Sequence, residues 1–279
     1  MRFAIGVPNV REYADPALLR DIAVDAEAAG WDGFFIWDHL VGDDPAWPAT
    51  DPWVALTAAT VATERVRLGV MVTPLARRRP WKVARETVAL DRLSGGRLHF
   101  GVGLGGAAEQ EFTAFGESSD ARVRADRVDE GLALLLALWS GEPVRHAGAH
   151  YRVEAPAFAP APLQRPRIPV WVAGIWPNRR PFRRAARYDG VFPLFDGVGE
   201  AETPAPAQLA ECVAYVRGQR TSHAPFDVIV EGISEPGEPV ALDAFAAAGL
   251  TWWVEKLGWF RGPLEAMRER VRAGPPAER

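Results

Sequence analysis

Eight short β-rich runs, each followed by a stretch of helical periodicity, succeed one another along the chain without a break in the alternation. The strand candidates are residues 3–7, 33–37, 66–72, 97–102, 170–173, 190–194, 226–231 and 251–254. Their helix partners are 16–29, 52–63, 81–93, 122–139, 180–187, 206–218, 239–248 and 263–272. Several helix ends are legible. Asp15-Pro16 and Asp51-Pro52 set an N-cap carboxylate ahead of a proline at the first helical position, and Gly30 and Gly249 supply stops. Eight strand-helix pairs in this order predict an α/β chain folded as a (β/α)8 barrel, one domain spanning residues 1–279. Residues 140–169 fall outside the alternation and read as an insertion between strands four and five. Pro143, Pro156, Pro160, Pro162, Pro166 and Pro169 make it an ordered extended excursion, not a second core.

Charge and composition narrow the function classes. A formal charge of −4 offers no basic excess for a nucleic-acid backbone, so a small-molecule substrate is favoured. No apolar run reaches membrane-spanning length and "MRFAIGVPNV" lacks an export signal, which points to a cytoplasmic protein with no membrane partner. Cys212 is the single cysteine and reads as buried filler. The five histidines show no ligand spacing, so no metal is expected. Serine nucleophile motifs and phosphate-binding Walker loops are absent.

The segment "FFIWDHLV" ends an apolar strand on Asp38 and His39. In a (β/α)8 barrel the C-terminal strand ends carry the catalytic groups, so this pair is the first candidate; a turn cap and a loop hydrogen bond are the plain structural alternative. The same face should receive Thr73, residues 103–109, residues 174–178, Phe195 and Asp196, Glu231 and Glu255. "GVGLGG", residues 101–106, matches G-x-G-x-x-G, and an NAD-dependent Rossmann oxidoreductase is the alternative it raises. The acidic residue that motif wants at the end of the next strand is missing, because Asp126 and Asp129 fall inside a helical stretch. "AGIWPNRRPFRR" offers free amides at 174–178 leading into a helix, with Arg179, Arg180, Arg183 and Arg184 close by, a pattern that attracts anions. Arg77, Arg78 and Arg79 follow strand three and either reach an anion or form a solvated face. Trp47, Trp176 and Trp252 lie near the expected mouth as candidate walls for an apolar substrate, with Glu255 as a polar contact.

The blocks "GWDGFFIWDHL", "VRLGVMVTPLARRRPWKVARETVALDRLSGGRLHFGVGLGG", "EFTAFGE", "QRPRIPVWVAG" and "RRAARYDGVFP" resemble, in order and spacing, the signatures of the bacterial luciferase-like monooxygenase superfamily. The resemblance implies a TIM-like barrel with FMN or the 8-hydroxy-5-deazaflavin coenzyme F420 at its C-terminal mouth. It implies that Asp38 and His39 stand beside the isoalloxazine, with histidine exchanging a proton and aspartate orienting it. A strained, sometimes cis, peptide at Val70, Met71 and Val72 would support the ring, with Thr73 as a polar contact. Gly103 and Gly105 would let the backbone approach the cofactor, and Gly174, Ile175, Asn178 and Arg179 would hold its phosphate. The family usually places a Trp after the last glycine and then an acidic residue. This chain has Ala107 and Ala108 before Glu109, so Glu109 inherits the acidic role in a roomier mouth. Two chemistries follow: oxygenation with O2 and reduced FMN delivered by a partner flavin reductase, or hydride transfer with the deazaflavin. A homodimer is expected on the family pattern, and a nonenzymatic flavin-binding barrel is the alternative of a different class.

Overall fold

The structure, a computed structural model, describes residues 1–42, 44, 46–235 and 242–276. In chain order its elements are β1 (Arg2–Val7), α1 (Pro16–Ala28), β2 (Gly33–Ile36), α2 (Pro52–Ala62), β3 (Arg67–Pro74), α3 (Pro80–Leu93), β4 (Leu98–Gly103), the single-turn α4 (Ala108–Glu111) and α5 (Ala121–Trp139). There follow β5 (Val144–Ala147), β6 (Arg152–Ala155), β7 (Val170–Trp176), α6 (Arg179–Ala185), β8 (Gly190–Phe195), α7 (Pro206–Gln219), β9 (Asp227–Gly232), α8 (Leu242–Ala247), β10 (Trp252–Lys256) and α9 (Leu264–Arg272). The eight strands read from the alternation close into a parallel barrel in the order β1-β10-β9-β8-β7-β4-β3-β2. This closed barrel replaces the open, doubly wound sheet that the NAD-dependent Rossmann alternative requires, and Gly101 and Gly103 lie within its fourth strand.

Apolar residues run almost without interruption through each strand because both faces are covered. One set points into the barrel, where Phe35, Met71, Trp171, Phe192, Trp252 and Val254 pack together. The other set, including Phe34, Ile36, Val70, Val102 and Trp253, packs under the helices. Trp171 and Trp252 meet edge to face at 5.2 Å between ring centroids. Helix starts follow the caps expected: Asp15 Oδ1 accepts from the Ala17 amide at 2.9 Å, and Asp51 Oδ1 from Trp53 and Val54 at 2.9 Å each.

Residues 140–169 contain an antiparallel pair, β5 with β6, where the sequence reading assigned no strand. Each arm is only four residues long and half polar, too short for period-two alternation to stand out. Glu130 of α5 holds the hairpin by accepting from the His150 and Tyr151 amides and pairing with His146 Nε2. The helix expected at 239–248 appears as α8, and its first three residues lie outside the described part. No helix among the described residues is long and apolar enough to cross a membrane.

Trp171 points into the barrel interior and is fully buried. Trp171→Ala should therefore lower the unfolding free energy by about 3–5 kcal/mol. Urea denaturation will check this; a loss below about 1 kcal/mol would mean that the interior does not depend on this ring.

Candidate active site

After Ile36 the chain leaves the barrel wall, and two interactions fix its path. Trp37 donates its amide to the Val7 carbonyl at 2.9 Å. Asn9, buried just past the end of β1, then clamps His39: its Nδ2 donates to the His39 carbonyl at 2.8 Å and to that of Thr50 at 2.7 Å, while its Oδ1 accepts from the His39 amide at 3.0 Å. The backbone of His39 is thereby held independently of its ring.

The expected partnership of Asp38 with His39 gives way to a different one. The Asp38 carboxylate is fully buried and turned toward the short turn after β3: Arg77 donates to its Oδ1 at 2.9 Å and to its carbonyl at 2.8 Å, and Arg78 reaches both carboxylate oxygens at 2.9 and 2.8 Å. Arg77 and Arg78 are thus neither a solvated face nor an open anion site. The ring of His39 is bonded instead by Glu111, at 3.2 Å from Nδ1 to Oε1. Glu111 is buried and also accepts from the amides of Leu40, Val41 and Gly42 and from Arg77. Burial acts to raise its pKa, but the His39 hydrogen bond, the Leu40 amide and the Arg77 charge outweigh it and hold the carboxyl down at about 2. An ionised Glu111 accepts the Nδ1 proton, which leaves Nε2 as the nitrogen that can take up or release one. Nε2 has no protein partner among the described residues, and the His39 side chain is 26% exposed.

His39 borders a cavity of about 450 Å³ at the C-terminal mouth of the barrel. Met71, Val72, Ala173 and Phe192 give it an apolar floor, and Gly105, Gly106 and Ile175 form part of its rim. The Met71–Val72 peptide is cis, at the position where the family resemblance implied such a bond. Gly105 adopts φ +81°, a conformation that favours glycine, and a Cβ added at Gly106 would meet nothing within 4 Å. Glu231 and Lys256 also line the wall.

The structure gathers Asp38, His39, Met71, Gly105 and Ile175 around this cavity, with Gly106, Phe195, Asp196 and Glu231 of the same expected face, and places the remaining candidates elsewhere. Val70 packs under the helices; Thr73 is buried with its Oγ1 unpartnered; Gly103 packs against Val72, whose Cγ2 would lie 2.6 Å from an added Cβ. Glu109 is exposed on α4, two residues before the glutamate that turns inward. Trp47 meets Trp259 edge to face and lies under Arg11, and Trp176 is buried against Phe182 and Tyr215. Trp252 opens β10 and therefore sits toward the opposite end of the barrel, while Glu255 is buried in bonds to Ser234, Trp253 and Arg261. At the expected phosphate end, an added Cβ at Gly174 would fall 2.4 Å from Pro181, Asn178 is exposed, and Arg179 lies over the rings of Trp176 and Tyr215. Arg180 and Arg184 are both tied to Asp129. Sequence reasoning missed Asn9, although a polar residue just beyond the end of β1 obeys the same strand-end rule that singled out Asp38 and His39. It also quoted Glu111, as the first letter of "EFTAFGE", without giving it a role.

A family model described as luciferase-like monooxygenase matches residues 1–233. The chain belongs to that family of oxidoreductases. Among curated luciferase-like relatives, an F420-dependent glucose-6-phosphate dehydrogenase of Beutenbergia cavernae is 34% identical over 293 aligned positions, covering 99% of this chain and 81% of the relative. The enzyme of the same name from Microbacterium testaceum is 33% identical over 60% of this chain, which spans about half (49%) of that relative's length. Among solved structures, the coenzyme F420 dependent tetrahydromethanopterin reductase of Methanopyrus kandleri aligns with TM-score 0.75 at 17% identity, over 98% of this chain and 97% of that one. An F420-dependent secondary alcohol dehydrogenase solved with an F420-acetone adduct aligns with TM-score 0.73 at 18% identity, over 99% and 100% of the two chains. At these identities the structural likeness establishes the luciferase-like barrel fold alone.

The ionised state of Glu111 gives this site a signature in stability. Its contribution should be complete above the ordinary carboxyl value of 4.5 and should decline as pH falls through about 2. Glu111→Gln should cost about 1–3 kcal/mol at pH 7. Urea denaturation between pH 7 and pH 2.5 should show the gap between the two proteins closing toward the acid end; a gap independent of pH would remove the charge from the account.

Proposed function

We propose that the chain is an F420-dependent oxidoreductase that moves a hydride between the deazaflavin ring and a small organic substrate, with His39 as the proton-exchanging residue. The observation that carries this reading is the combination at one cavity of an apolar floor, a glycine-lined rim and a histidine backed by an ionised buried carboxylate. The residues present suit a flat ring: Met71, Val72 and Ala173 offer an apolar surface, and the space beyond Gly106 is open. Hydride donation or acceptance is the chemistry that the deazaflavin supplies when bound. Glu111 fixes the tautomer of His39, so Nε2 gives up a proton to, or accepts one from, the oxygen on the substrate carbon that exchanges the hydride. Asn9 keeps the imidazole in place as its protonation changes, and Arg77 neutralises the carboxylate behind it.

F420 is preferred to FMN because the relatives related at about one-third identity carry F420 in their names. On this reading no flavin reductase is needed as a partner, and the setting is the cytoplasm. Titration of the purified protein with F420, FMN and NAD, followed by ring fluorescence, should show tightest binding of F420. FMN binding alone would turn the reading toward oxygenation, and NAD binding alone would end it. His39→Gln should lower turnover by about 10²–10⁴-fold while changing cofactor affinity little; retention of full turnover would reduce His39 to a loop residue.

Homodimer formation belongs to the same proposal. Val54 and Val61 of α2 are 61% and 67% exposed, which gives that helix an uncovered apolar face. Light scattering at micromolar concentration should return roughly twice the chain mass of 30.5 kDa, whereas particles of the single-chain mass would refute the dimer.

A further inference from the structure

The cavity wall also carries polar groups that proton exchange at His39 does not use. Glu231 near the end of β9, Lys256 at the end of β10 and Trp37 just after β2 all border the cavity. They meet over Gly6 of β1: a Cβ there would lie 3.1 Å from Glu231 Oε1 and 3.9 Å from Trp37 Nε1. Bare backbone at this position is what leaves room for the carboxyl and the indole to approach each other. Glu231 and Lys256 are both buried, and Lys256 Nζ lies 3.4 Å from the Glu202 carbonyl. Burial pushes the Glu231 carboxyl up to about 7, against the opposing influence of Lys256 and the Trp37 N–H and with a further push from Glu200. In its protonated form such a group donates to a carbonyl or hydroxyl oxygen, and in its ionised form it accepts from a hydroxyl.

The charge balance of this wall excludes one class of ligand. Asp196 and Glu200, in the loop after β8, border the same cavity, and Lys256 is the one lysine or arginine among its described lining. Residues 236–241, outside the described part, contain neither Lys nor Arg. Arg77 and Arg78 are committed to Asp38 and Arg261 to Glu255, while Arg179 of α6 lies over the rings of Trp176 and Tyr215. Phosphate esters are held by clustered arginines, lysines or free amides. Here a phosphate would face several carboxyl groups and a single buried ammonium that already donates to the Glu202 carbonyl. The surfaces of Phe192, Leu194, Phe195 and Val198 make the remainder of this side apolar.

We infer that Glu231 is the specificity-determining residue of the cavity: it holds an uncharged hydroxyl or carbonyl group of the substrate and, with Asp196, turns phosphorylated compounds away. The substrate is then a neutral hydroxy compound, its reacting oxygen at His39 and a second polar group at Glu231. This rests on the oxidoreductase reading above. It also separates the chain's substrate from the sugar phosphate in its relatives' names.

The test uses the full chain with two probes, cyclohexane-1,2-diol and glucose 6-phosphate. With F420 bound, kcat/KM for the diol should exceed that for the sugar phosphate at least 100-fold. Glu231→Gln should raise KM for the diol about tenfold, more than it changes kcat, and should cut the preference over the phosphate by a similar factor. F420 affinity within threefold of the wild type will show that this variant is folded. Calorimetric titration of both probes into the protein without cofactor separates the two proposals: if F420 fails to bind but the diol still binds and the phosphate does not, only the cofactor reading falls. Equal or better use or binding of glucose 6-phosphate, no binding of the diol with or without cofactor, or an unchanged KM in the variant would overturn the inference.

Discussion

Arg77 joins the two carboxylates on which the mouth of the barrel depends. One of its guanidinium nitrogens bonds Asp38 and the other bonds Glu111, with all three side chains withdrawn from water. Two carboxylates buried at such proximity repel each other unless a cation stands between them, and a planar guanidinium can serve both without moving. Through Asp38 it fixes the end of β2 against the turn after β3; through Glu111 it fixes the segment after β4 against His39. The position of the imidazole is therefore set by three strand ends at once, with Asn9 adding the first strand.

The architecture was legible because a (β/α)8 barrel repeats one local pattern, so apolar runs, proline-marked helix starts and glycine stops reinforce one another. The site was legible only in part. Asp38 and His39 stood out because titratable groups break an apolar strand at its end. Arg77 did not, because a run of three arginines reads as a solvated surface until a buried acid is placed beside it. Glu109 was taken for Glu111 because both follow the glycine run; residues two apart on a helical turn point to different sides, and only coordinates say which side faces inward. Trp252 and Glu255 were assigned to the mouth from a strand end, but the first residue of β10 lies at its far end, and Glu255 turns away from the barrel axis toward Arg261.

Glu111 and Glu231 illustrate how one physical effect yields two kinds of carboxyl group in one site. Burial raises both. Glu111 meets amides, an imidazole and a guanidinium, and ends at about 2; Glu231 meets one ammonium and one indole N–H and ends at about 7. The number and charge of the donors, set against the desolvation each carboxyl suffers, separate a permanent anion from a group that changes protonation near neutrality.

The order of these residues along the chain has an evolutionary consequence. Asn9, His39, Arg77 and Glu111 all lie in the first four strand units, while Asp196, Glu231 and Lys256 come from the last three. On the function proposed above, proton handling and ligand discrimination are encoded by separate stretches that touch across a single glycine of the first strand. Exchange or drift of the later loops can retarget such a barrel to new compounds while its proton-transfer apparatus passes through unchanged.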